Sequence, residues 1–202
     1  MTVPFAVDVL MHHRERYRPS STGNLVERVV NEAHLHLYRR ERGLTAADLQ
    51  RPGKDLWILH PHGLPAPATT NPADVQVLLL DGAWREATAM AQEVGRWGRL
   101  VSLPMTGESR YWLRAKGEGA RYSTVEALLF LLQHFVTAAG FADSGRQWAE
   151  EHRKLRRQFE LHVYASLRSR GHKEEAKAFL ADSPILTELA EFVAALDVPR
   201  PR

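Results

Sequence analysis

"VQVLLLDGAWREATAMAQEV", residues 75–94, decides how the rest of the chain is read. Its first six residues are apolar except for Gln76, a near-continuous run that suits a strand covered on both faces. Further on, Ala87, Met90, Ala91 and Val94 recur at i, i+3, i+4 and i+7, which is one helical stripe. A buried strand passing straight into a helix is half of a strand–helix–strand unit and predicts a parallel sheet. Asp81 stands at the junction. As a helix cap it would accept backbone N–H groups and complement the helix dipole. As a working carboxylate it would stand at the carboxyl end of a strand, where open α/β sheets collect their ligands.

Working outward, "DLWILH" (55–60) is a second apolar strand, divided from the first by the Pro-rich loop "PHGLPAPATTNP" (61–72). "PFAVDVLM" (4–11), "HLHLYRR" (34–40) and "GRLVSLP" (98–104) read as further strands. "NLVERVVNEA" (24–33) predicts a short helix with Asn24 as N-cap and Glu27 three residues on. "STVEALLFLLQHFVTAAG" (123–140) opens on a Ser or Thr cap, carries Glu126 for a capping box and stops at Gly140. That helix is apolar nearly all round and so belongs at the centre.

The remainder is helical. Trp148, Leu155, Phe159 and Val163 stripe residues 145–169, a helix over 172–181 follows, and Ser183-Pro184 starts a last one along Ile185, Leu189, Phe192 and Leu196. The predicted fold is α/β: a mostly parallel sheet with helices on both faces and a helical C-terminal cap. Residues 1–142 form the α/β unit, and 143–202 a helical extension packed on it.

Composition narrows the function. At 202 residues the chain holds one well-filled core, and 44% hydrophobic with 25% charged residues is the profile of a folded globule. No run of about 18 apolar residues exists, so no spanning helix is expected. The start "MTVPFAVDVLMHHRER" lacks the basic region and cleavage site of a signal peptide. There are no cysteines, which excludes disulfides, thiolate nucleophiles and Cys-ligated metals and predicts a cytoplasmic protein. Of 27 cations 22 are arginines, and guanidinium suits phosphates and stacked bases.

Three stretches offer chemistry besides Asp81. "SRYWLRAKGEGAR" (109–121) interleaves Arg110, Arg114, Lys116 and Arg121 with Tyr111 and Trp112, a pattern that fits single-stranded RNA or, equally, an anchored surface loop. "HHRERYR" (12–18) is a basic turn. His34/His36 and His60/His62 have the i, i+2 spacing of strand ligands, but no carboxylate partner is evident and metal binding is not expected.

Taken in order, these pieces resemble the DTW-domain family, whose characterised members are tRNA-uridine aminocarboxypropyltransferases. "LLLDGAW" stands where the family has an apolar strand followed by Asp-x-Thr-Trp. "HHRE" (His12 to Glu15) and "STG" (Ser21 to Gly23) match its early motifs His-Pro-x-Glu and Asn-Thr-Gly, and "SRYWLRAKGEGARYSTVEA" (109–127) its late one. The likeness covers roughly residues 5–140. Ala83 stands in place of the motif threonine, His13 in place of a proline, and the N-terminal cysteine cluster common in members is absent.

From the residues themselves no metal and no membrane are expected, and the chain is expected to be a monomer. The resemblance implies a SPOUT-like fold, knotted in its C-terminal part around S-adenosylmethionine, with tRNA as partner. It implies transfer of the 3-amino-3-carboxypropyl group to uridine N3, with Asp81 as the base. An aspartate seated against Leu78–Leu80 would be a stronger base than one in water. Thr22, Leu103 with the turn after it, Trp84, Ser123, Thr124 and Glu126 would hold the cofactor. His12, Arg14, Glu15, Arg16, Arg110, Tyr111, Arg114 and Arg121 would contact substrate or RNA. A methyltransferase using the same cofactor, and an RNA-binding module without turnover, are the competing readings.

Overall fold

The computed structural model describes residues 1–67, 70–113, 122–140 and 142–189. Five strands, β1 (Ala6–His12), β2 (His34–Tyr38), β3 (Asp55–Pro65), β4 (Val75–Asp81) and β5 (Arg99–Ser102), pair in parallel in the order β2-β1-β4-β3-β5. The helices are α1 (Thr22–Val29), α2 (Ala46–Leu49), α3 (Trp84–Val94), α4 (Thr124–Ala139), α5 (Asp143–Ser169), α6 (Lys173–Ala181) and α7 (Pro184–Thr187). The α/β class, the parallel sheet and the helical C-terminal region all match the sequence reading.

Strand β4 shows why the apolar runs are needed. Val75, Val77 and Leu79 face a large core shared with α1 and α4, while Leu78 faces a smaller one with Met90 and Val94 of α3. Each such side chain contributes about 1.5–3 kcal/mol on full burial, so helices on both faces stabilise the central strands twice over. Leu128, Leu131, Leu132 and Phe135 of α4 are buried, as its near-uniform apolarity predicts. Leu155, Phe159 and Val163 of α5 join the same core from outside, with Phe179 of α6 and Leu186 of α7. No helix among the described residues is long and apolar enough to cross a membrane.

Three local expectations are corrected. Helix α1 begins two residues before Asn24, because the Ser21 hydroxyl accepts the Asn24 N–H at 3.3 Å and is the true cap. Strand β3 does not stop at His60: Leu59 and Leu64 both pair opposite Val101, so His60–Gly63 bulge out and the strand resumes to Pro65. Gly63 permits this, since a Cβ there would lie 2.5 Å from the backbone of Leu100 and Val101. Thirdly, the four-residue helix α2 forms within a stretch read as a plain connection, where Asp48 caps the Thr45 N–H at 2.8 Å. The helix expected along Phe192 and Leu196 lies outside the described residues.

Candidate active site

The alternation that buries Val75, Val77 and Leu79 also decides where Asp81 points. It shares their face, towards α1 and α4, whereas α3 covers the other face. Asp81 is therefore not the cap of the helix that follows it. That work falls to Glu86, whose Oε2 accepts the Ala83 N–H at 2.8 Å.

The Asp81 carboxylate, 7% exposed, instead meets the beginnings of two other helices. Its Oδ2 accepts the Ser21 hydroxyl at 2.9 Å, and its Oδ1 accepts the Thr124 hydroxyl. The two helix starts are tied together by the Thr124 N–H, which donates to Thr22 Oγ1 at 3.1 Å. Gly23 makes the approach possible: a Cβ on it would stand 2.7 Å from Asp81 Oδ2. The positive ends of α1 and α4 thus converge on one carboxylate whose two oxygens are aimed by hydroxyls.

Around this group a cleft of about 640 Å³ opens over the carboxyl ends of the strands. Asp81, Thr22, Ser123, Thr124, Trp84, Tyr111 and Glu15 of the expected residues line it. Trp84 is 46% exposed, an unusual state for a tryptophan in a chain whose other large rings mostly pack inward. Its ring stacks on His60 at 6.0 Å and meets His62 edge-on at 6.4 Å. The His60–Gly63 bulge is what brings those imidazoles to the tryptophan. Burial lowers the His60 pKa, with His62 adding to the effect, so the ring is neutral at pH 7. Its Nδ1 accepts the His62 N–H at 3.3 Å, which leaves the ring hydrogen on a buried Nε2.

Glu15 is the second carboxylate of the cleft. Burial raises its pKa, Arg18 at 2.7 Å opposes this, and the charges of Asp81 and Glu86 push further upward. Tyr111 holds the rim, donating its hydroxyl to the Ser20 carbonyl at 2.8 Å and stacking on Phe159.

Other expected residues stand elsewhere. Leu103 is buried in the core, and Met105, two residues on, reaches the cleft instead. Glu126 closes the capping box on Ser123, accepting its N–H at 2.6 Å, and also accepts the Arg110 N–H at 2.7 Å. His12 lies 3.2 Å from Glu86 at the start of α3. Arg14 is exposed on the turn after β1, and Arg16 is paired with Glu27 at 2.7 Å. The Arg110 side chain turns to the helical layer, where it pairs with Glu160 and Asp182 and lies over the Phe179 ring. Arg114 and Arg121 lie outside the described residues.

Sequence reasoning missed Ser21, which aims Asp81, and two further contributors. Arg170, at the end of α5, lines the cleft from a helix far along the chain. His60 ends the apolar run "DLWILH" as Asp81 ends "VQVLLLD", and that shared position was the available signal.

Residues 1–167 match the family model described as DTW domain. No curated protein and no solved structure matches the chain.

Proposed function

The chain belongs to the DTW domain family, and from that premise we propose that it moves the 3-amino-3-carboxypropyl group of S-adenosylmethionine to N3 of a tRNA uridine. Membership is itself consistent with a tRNA-modifying function. The observation that carries the finer reading is Asp81: a buried carboxylate, oriented by two hydroxyls, inside a cleft at the carboxyl ends of parallel strands.

The cleft suits such a cofactor by its chemistry. Asp81 offers a carboxylate to a cationic centre, Arg170 offers a guanidinium group to a carboxylate, and Trp84 and Tyr111 offer ring faces to a purine. Bound there, the cofactor supplies a sulfonium-activated carbon, and methylthioadenosine is the leaving group.

The chain's own part is positioning and proton transfer. Uridine N3–H is a weak acid and N3 a poor nucleophile until that proton leaves, so Asp81 accepts it as the new N–C bond forms. The Ser21 and Thr124 hydroxyls fix which lone pairs of Asp81 face the base. Thr22, Ser123 and Thr124 line the cleft and would contact the bound cofactor there. Neutral His60 stiffens Trp84 as a wall. Arg14, Arg18 and the 91% exposed Tyr17 present cations and a ring to RNA on the turn after β1, which gives salt-dependent tRNA binding.

Mass spectrometry of nucleosides from treated tRNA tests the reading. The expected product is a uridine carrying the aminocarboxypropyl group, with methylthioadenosine released in equal amount. Methylated uridine with adenosylhomocysteine would establish a methyltransferase, and retention of tRNA with neither product a binding module.

A further inference from the structure

We propose that Asp8, His34 and His36 form a binding site for a zinc-like divalent cation, separate from the cleft. Histidines at i, i+2 in a strand share a face, but two imidazoles are a thin donor set. The parallel register supplies the third ligand. Asp8 of β1 pairs opposite His34 of β2, and His36 pairs opposite Leu10, so all three side chains rise from the same side of neighbouring strands.

The donor atoms already cluster. His36 Nε2 is 2.9 Å from Asp8 Oδ1, and His34 Nδ1 is 3.6 Å from the same oxygen. All three ligand atoms lie within 4.8 Å of one another. Tetrahedral bonds of about 2.0–2.2 Å to one ion set ligand atoms about 3.3–3.6 Å apart, so the His36–Asp8 pair would part by a few tenths of an ångström to admit it.

The surroundings are those of an oriented ligand. Asp8 is 1% exposed, and its other oxygen, Oδ2, accepts Arg51 Nε at 2.9 Å and Gln76 Nε2 at 2.8 Å. Those donors fix the carboxylate so that Oδ1 faces the two rings. Two imidazoles favour zinc, cobalt, nickel or copper over magnesium or calcium, and the Arg51 charge further disfavours hard cations that bind by charge alone. The His34 side chain is 60% exposed, which gives an ion and its water ligands a way in. On binding, His36 gives up the Nε2 proton that it shares with Asp8 or shifts it to Nδ1, and Nε2 coordinates the ion.

The consequence is mechanical. Strand β2 is an edge of the sheet, and an ion held by both β1 and β2 would clip that edge in place. The test uses the full chain, stripped with chelator and titrated with zinc chloride. Expected are one ion per chain, a thermal midpoint raised by zinc and restored by chelator, and an anomalous peak between the three residues in cobalt-soaked crystals. His34→Ala removes an exposed ring, leaves the metal-free midpoint unchanged and weakens zinc binding at least ~10-fold. Absence of the peak at saturating metal, or zinc affinity unmoved by His34→Ala, overturns the proposal.

Discussion

Asp8 and Asp81 are buried aspartates on neighbouring strands of one sheet, and they do opposite things. Asp8 looks to the face covered by α3 and is clamped by Arg51, Gln76 and His36. Asp81 looks to the face of α1 and α4, receives the hydroxyls of Ser21 and Thr124, and lines the cleft. Arg51 and Gln76 make a strut of one Asp8 oxygen and leave the other to the imidazoles of the neighbouring strand, whereas hydroxyls aim both oxygens of Asp81 in an open cleft. The difference teaches that burial alone does not say what a carboxylate does; the chemistry of its donors and the volume beside it do.

The largest effect on stability follows from breaking the strut. Burial pushes Asp8 upward, but the His36, Arg51 and Gln76 hydrogen bonds and the Arg51 charge outweigh it and hold its pKa below the usual carboxylate range. Its contribution is therefore present above the ordinary Asp value and lost as pH falls through the lowered one. Asp8→Asn, measured in chelator by denaturant unfolding at neutral pH, should cost about 3 kcal/mol by leaving Arg51 without its carboxylate. The gap between the two proteins should close below about pH 4.

Gly23→Ala sharpens the other side of the contrast. Its methyl group would press on the Asp81 carboxylate at 2.7 Å and on Met11 Cε at 2.9 Å. Met11 can yield, being the end of a flexible side chain, but the carboxylate cannot without losing its aim. A stability loss of about 1–3 kcal/mol is expected, with a far larger loss of transfer than of tRNA affinity.

The smallest effect concerns Glu15, the second carboxylate of the cleft. Its pKa is raised chiefly by burial, so ionising it costs folding free energy as pH climbs through that value, and nothing below the ordinary Glu range. Glu15→Gln should raise the thermal midpoint slightly at about pH 8 and leave it unchanged at about pH 4. A gain that is the same at both pH values would contradict the assignment.

The sheet was legible because apolar runs report covered strands directly: Val75–Leu79 and Leu56–Leu59 are buried as their composition predicts. So were Ser123 and Glu126 as a cap and its box, since that pairing is local. What escaped depends on partners far along the chain. Ser21 outcompeted Asn24 as the cap of α1 in a setting where its hydroxyl also meets Asp81, sixty residues away. Periodicity gives no sign of the His60–Gly63 bulge, which requires the close backbone approach to β5. Arg110 reads as a loop cation until Glu160 and Asp182 arrive from the helical layer, and Arg170 enters the cleft only through the packing of α5. The carboxylate missing from the His34/His36 pair was three strand residues into β1, visible only once register is known.

The central claim is that Asp81 takes a proton from the nucleobase rather than holding the fold together. Single-turnover release of methylthioadenosine by Asp81→Asn, with tRNA and cofactor affinities measured on the same preparation, tests it most directly. The account predicts affinities within a few-fold of the parent protein and a transfer rate at least ~100-fold lower. Transfer at the parent rate, with binding intact, would contradict it.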